Sequence, residues 1–260
     1  MNTFNSIQIK EGLGDCLIAA ACAQEYNKIF NKRLELITNS LLEPILKDNP
    51  HFDFKTHGTA DLILKWPSQI NKNLYRLHTL HRFSVQMGFY IDPTKTVDIY
   101  LNKCLQQNTK SKKLVCINQF SAEKNRRFIP LKYVNLIKEF CNKHNFEIKW
   151  LGSNINNSVT DIQECVKLLT ECSLFIGPIS FMYHLASALK CVSLLFCSYM
   201  PYYKYSHFTN CYHIYSNRNC VSQCEENEIE MIEQNNCSDF CKATEYSEEE
   251  IYQKLKEILL

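Results

Sequence analysis

Two short segments of this 260-residue chain carry residue types suited to holding an anion. Gly12-Leu13-Gly14-Asp15 follows the run Ser6-Ile7-Gln8-Ile9, and Gly177-Pro178-Ile179-Ser180 follows Leu174-Phe175-Ile176 and opens a helix that carries His184. In both places an apolar strand gives way to a helix. A helix start presents N–H groups without intrahelical partners and the positive end of the helix dipole, so it favours negative charge. Lys124-Asn125-Arg126-Arg127 adds a basic loop in the second half, and guanidinium groups match phosphate geometry. One anion site in each half suggests a ligand held between two α/β domains, and the chemistry suggested is that of an enzyme handling a phosphorylated donor.

A second constellation lies near the C-terminus. Cys220-x3-Cys224 and Cys237-x3-Cys241 form two short pairs separated by twelve residues. Each pair can clasp one side of a tetrahedral ion, and thiolates suit structural zinc or iron. Against this, cysteine serves elsewhere as a small apolar residue, as at Cys16, Cys22, Cys141, Cys165 and Cys172.

The elements that would position these groups follow from periodicity. Strands are expected at Ser6–Ile9, Leu34–Ile37, Phe52–Phe54, Val97–Leu101, Leu114–Ile117, Glu147–Leu151, Leu174–Ile176 and Val192–Phe196. Helices are expected from Asp15 to Ile29, from a Ser40 cap to Leu46, near Leu74–Met87, from Pro130 past Cys141, through Ile162–Leu169, over Phe181–Leu189, and from a Ser247/Glu250 capping box. Leu114-Val115-Cys116-Ile117 is apolar throughout, as a strand buried on both faces would be. Strands alternating with helices predict parallel sheets. The domains read as 1–105, 114–219, a cysteine-containing acidic tail over 220–246, and a final helix over 247–260.

Composition narrows the function classes. Apolar residues make up 45% of the chain, which argues for a packed core. Eleven acidic and three basic residues follow Cys220, a balance of −8 that leaves +10 on residues 1–219. A basic body suits a phosphorylated small molecule or an anionic surface, including peripheral attachment to a membrane. Aromatic residues are not interleaved with the basic ones, so no nucleic-acid partner is expected. No run of apolar residues is long enough to span a bilayer, and Met1–Asn5 lacks the features of a signal peptide. A cytoplasmic location is expected, with the 14 cysteines reduced.

Taken together, these residues resemble glycosyltransferase family 9, which includes the lipopolysaccharide heptosyltransferases. Gly14-Asp15 before an Ala-rich helix is similar to the family's N-terminal GD signature. Ser121–Pro130 resembles its phosphate-contacting loop, with Arg127 as the basic residue three positions before Pro130. Phe175–Leu189, ending His184-Leu185-Ala186-Ser187-Ala188-Leu189, resembles its DTGxxHLAAAL segment. The DTG triplet falls on Ile179-Ser180-Phe181, so its Asp and Gly are both replaced.

The resemblance implies a GT-B-like α/β fold: two Rossmann-like domains with parallel sheets facing across a cleft, the last helix returning to the first domain. It implies inverting transfer of a sugar, such as a heptose, from a nucleotide diphosphate-sugar to a hydroxyl on a glycan, lipid-linked glycan or protein. Asp15 would be the catalytic base. Gly12, Gly14, Ser121, Lys124, Arg126, Arg127, Ser180 and His184 would contact the donor, with no cofactor needed for catalysis. Some members carry a C-terminal iron-binding cysteine cluster like that of Cys220, Cys224, Cys237 and Cys241, and a metal-bound tail suits oligomer assembly. The alternative is a non-catalytic sugar-nucleotide-binding or assembly subunit, in keeping with Ile179 and Phe181.

Overall fold

Parallel strands can be joined only by crossovers, and here most crossovers are helices packed on a sheet. The computed structural model describes residues 4–65, 79–91, 100, 113–122, 127–152, 158, 160–198, 210–216 and 244–260. They group into two units, one within Met1–Gln107 and one within Asn108–Tyr202 and Asn210–Leu260.

The first unit runs β1 (Ser6–Ile9), α1 (Leu13–Phe30), β2 (Leu34–Ile37), α2 (Glu43–Leu46), β3 (Phe52–Lys55), β4 (Leu62–Leu64) and α3 (Thr79–Gln86). Its strands pair in parallel in the order β3-β2-β1-β4, with Ile7 beside Leu36 on one side and Leu62 on the other. Every residue of α1 from Cys16 to Ala23 is buried. Small Ala and Cys side chains let this helix lie close to the sheet on one side and α3 on another. Asn31 ends it in the left-handed conformation (φ 50°), donating its N–H to the Asn27 carbonyl at 2.8 Å. The expected Ser40 cap is corrected: Asn39 accepts the Leu41 N–H at 2.9 Å and starts a 3₁₀ turn over Ser40–Leu42 that leads into α2. β4 was not expected, because three residues are too few to show a period. The expected strand Val97–Leu101 lies outside the described residues, Tyr100 apart.

The second unit runs β5 (Leu114–Ile117), α4 (Leu131–Lys143), β6 (Glu147–Trp150), α5 (Ile162–Glu171), β7 (Leu174–Pro178), α6 (Phe181–Ala188), β8 (Ser193–Cys197), β9 (Cys211–Tyr215) and α7 (Glu248–Leu259). The five strands pair in parallel in the order β6-β5-β7-β8-β9. All residues of β5, β7 and β8 are buried, as strands covered on both faces must be. Pro130 is the N-cap of α4 rather than its first helical residue. Asp161 caps α5 by accepting the Glu164 N–H at 2.9 Å, and Ser247 caps α7 by accepting the Glu250 N–H at 3.2 Å. The chain is thus α/β with two parallel-sheet, Rossmann-like units. Among the described residues no helix is long and apolar enough to cross a membrane.

Ile251 and Leu255 of α7 enter the core of the second unit with Val134, Ile137 and Ile214, and the helix packs on α4 and β9. Tyr133 ties in the approach to this helix. Its buried hydroxyl donates to the Tyr246 carbonyl at 2.8 Å and accepts the Tyr246 N–H at 2.7 Å. Tyr133→Phe removes both bonds in a dry site, at a cost of about 1–3 kcal/mol. Urea unfolding of the second unit should show that loss, and amide exchange at Tyr246 should accelerate.

Candidate functional site

Loops that leave the carboxyl ends of parallel strands gather at one sheet edge, where α/β proteins bind ligands. In the first unit that edge holds a cavity of about 490 Å³. Lys10 and Glu11 after β1, Thr38 and Asn39 after β2, and Thr56 and His57 after β3 supply much of its polar wall. Sequence reading did not single these residues out, although each directly follows a strand end. Next to them, Gly12 is the N-cap of α1 and Asp15 sits in its first turn. A glycine cannot cap with a side chain. A Cβ built on Gly12 would lie 3.3 Å from Asp15 Oδ2, so the half-buried carboxylate folds back over the helix start. Gly14 is the second residue of the helix. The cluster Gly12, Gly14 and Asp15 is therefore brought together, with Asp15 placed to stabilise its own helix.

In the second unit the corresponding edge centres on Asn118, the first residue past β5, which sequence reading missed. Its Oδ1 accepts from the Ser180 hydroxyl at 3.0 Å, and its Nδ2 donates to the Leu151 carbonyl at 3.0 Å. Its main-chain N–H donates to the Ile176 carbonyl at 2.9 Å. One buried amide thus joins the ends of β5, β6 and β7. The signal available was the first polar residue after an all-apolar strand.

Ser180 caps α6, accepting the Tyr183 N–H at 3.4 Å while it donates to Asn118. Its hydroxyl proton is thus committed inside the protein, and what it offers an anion is main-chain N–H geometry. Gly177 and Pro178 differ from expectation. They do not open the helix but extend β7, paired with Leu195 and Phe196 of β8. A Cβ on Gly177 would come within 2.7 Å of the Phe175 ring. This glycine serves packing.

Arg127 is half-buried and donates from Nη1 to the Ile179 carbonyl at 3.3 Å. Its own loop returns to β5 through Ser121 N–H to Arg127 O and Ile129 N–H to Gln119 O, both 2.9 Å, beside stacked Phe120 and Phe128 rings. Ser121 is buried at the base of that loop. His184 lies one turn into α6 and is only 5% exposed. Ser121, Arg127, Ser180 and His184 therefore belong to one neighbourhood built around Asn118. Lys124 and Arg126 lie outside the described residues. So do Cys220, Cys224, Cys237 and Cys241, and among the described residues no group of three or more His, Cys, Asp or Glu could hold a metal.

Gly152 guards the same amide. It follows β6 with φ +94°, and a Cβ there would come within 2.6 Å of Asn118 Nδ2. Gly152→Ala combines backbone strain with displacement of Asn118, at a cost of about 2–4 kcal/mol. The check is a thermal melt of the purified variant, which should unfold several degrees below the wild type.

No protein-family model matches the chain, and no curated protein matches its sequence. Solved structures do match. The iron-containing dodecameric glycosyltransferase TibC from enterotoxigenic E. coli superposes with a TM-score of 0.73 at 15% identity, over 98% of this chain and 77% of TibC. Dodecameric heptosyltransferase TibC in complex with ADP-D-β-D-heptose gives 0.70 at 14% identity, over 97% and 76%. A glycosyl transferase family 9 protein from Veillonella parvula gives 0.66 at 10% identity, over 98% and 97%. The chain has the GT-B-like fold of these glycosyltransferases.

Proposed function

We propose that the chain is an inverting glycosyltransferase that moves a sugar, such as a heptose, from a nucleotide diphosphate-sugar to a hydroxyl of a glycan, lipid-linked glycan or protein. The observation that carries this reading is fold likeness along nearly the whole chain to TibC, a glycosyltransferase that binds ADP-D-β-D-heptose. The chemistry of the residues supports it. Asp15 takes the proton from the acceptor hydroxyl, whose oxygen attacks the anomeric carbon from the face opposite the leaving group. The glycosidic C–O bond forms as the bond to the diphosphate oxygen breaks, which inverts the anomeric centre. Arg127, with Lys124 and Arg126 on the same loop, neutralises the departing diphosphate. Main-chain N–H groups at Ser180 and the start of α6 receive phosphate oxygens, and His184 lies behind them. The polar wall formed by Lys10, Glu11, Thr38 and His57 suits a hydroxyl-rich acceptor.

The other reading is a sugar-nucleotide-binding or assembly subunit without transferase activity. The specific observation in its favour is Phe181 at the first position of α6, where a glycine would leave room for a diphosphate. Thiolates at Cys220, Cys224, Cys237 and Cys241 suit a structural iron or zinc, TibC is iron-containing and dodecameric, and no chemical step requires that metal. Metal analysis of the purified protein should find about one iron or zinc per chain, lost when Cys220 and Cys237 are both replaced by Ser.

Thermal stability against ADP-heptose and UDP- and GDP-sugars separates the two main readings. Saturation at 100 times Kd adds about 2.7 kcal/mol, enough for a clear rise in melting temperature. With the stabilising donor, Asp15→Asn should fold and bind but lose at least about 100-fold in transfer rate. Full activity in Asp15→Asn removes Asp15 as the base, and no stabilisation by any donor favours the second reading.

A further inference from the structure

Resting on the reading of Arg127 as the cation that meets the leaving diphosphate, we infer that Asn118 is the positioning residue for that guanidinium. Arg127 Nη1 is held by the Ile179 carbonyl at 3.3 Å. Ile179 is followed directly by Ser180, whose hydroxyl is tied to Asn118 Oδ1 at 3.0 Å. The carbonyl that aims the arginine is therefore fixed by one side-chain bond from the end of β5. Asn118 cannot turn its amide to release Ser180, because Nδ2 is tied to the Leu151 carbonyl at 3.0 Å. A buried amide with donor and acceptor ends both engaged favours one orientation, since the flipped amide would set its oxygen against the Leu151 carbonyl oxygen. Asn118 and Ser180 are 5% and 9% exposed, so water competes little for either group.

The arginine loop is anchored on the same strand end. Gln119 Nε2 donates to the Ile129 carbonyl at 3.0 Å and Ser121 N–H to the Arg127 carbonyl at 2.9 Å. The backbone of Arg127 and the acceptor of its side chain thus both refer to residues 118–121. Asn118 touches no substrate atom in this scheme. It sets where the charge stands, so its loss should weaken recognition of the terminal phosphate more than that of the nucleoside.

The test compares calorimetric binding of nucleoside diphosphates and monophosphates (ADP with AMP, UDP with UMP, GDP with GMP) to the full chain. The wild type should bind one diphosphate more tightly than its monophosphate. Asn118→Ala should lose about tenfold in diphosphate affinity, as expected for one displaced charge-assisted contact, with monophosphate affinity changed less than about twofold. In an Arg127→Ala background, Asn118→Ala should cost nothing further, because the two act as one unit. Should Asn118→Ala fail to fold, Ser180→Ala cuts the same link with less lost packing, and Ser180→Thr, which keeps the hydroxyl, should restore the wild-type ratio. Equal losses for diphosphate and monophosphate, or additive losses with Arg127→Ala, overturn the positioning role alone. A folded wild type that binds no nucleotide overturns the transferase reading and this inference with it.

Discussion

A strand buried on both faces leaves little room for polar side chains along its length, and the second unit depends on that constraint. β5 and β7 are apolar and buried throughout, and β8 is so after Ser193, so their polar groups lie at the strand ends. Parallel pairing brings those ends to one edge, and the short-range chemistry collects there. Asn118 is the product of both effects. It is polar because β5 has ended, and buried because Gly152, Ser180 and the Leu151 carbonyl close around it. Its three hydrogen bonds tie the ends of β5, β6 and β7 together.

Much of the fold was legible because burial imposes a period. The all-apolar β5 and the i, i+3, i+4, i+7 stripe of α5 reflect an environment that admits no polar residue on the covered face. The α7 start was legible for a local reason, since Ser247 captures the Glu250 N–H without help from the tertiary structure. Features set by distant contacts were not legible. β9 mixes Cys, Tyr, His and Ile, and is a strand because β8 offers it a parallel ladder. Gly177-Pro178 looks like a turn in isolation, yet pairing with Leu195 and Phe196 keeps it extended. The packing partners of α7 were equally hidden, because an amphipathic helix declares that it will bury a face but not against what.

The candidate sites divide the same way. Gly12, Gly14, Asp15, Ser180 and Arg127 are visible in sequence as candidates because glycine, carboxylate, hydroxyl and guanidinium groups follow apolar strands there. Their partners are less visible. Asn118 and Leu151 lie 33 positions apart and meet only when β5 and β6 pair. The cavity in the first unit needs three strand ends at once, and Lys10, Thr38 and Thr56 have no local signature when read one at a time.

The replaced DTG triplet is best judged by what holds it. With Asp in the first position, this residue would carry a carboxylate. Here Ile179 is 3% exposed, and the arginine is held instead by its main-chain carbonyl. A carbonyl orients the guanidinium without cancelling its charge. Phe181 acts in the opposite direction, because a half-buried aromatic ring occupies space that a glycine would leave to the ligand. The first change leaves a neutral acceptor at the guanidinium and the second restricts approach, so a diphosphate that reaches this loop would meet main-chain N–H groups and the Arg127 guanidinium. That balance depends on the Ile179 carbonyl staying in place, and its place is set by the bond from Ser180 to Asn118.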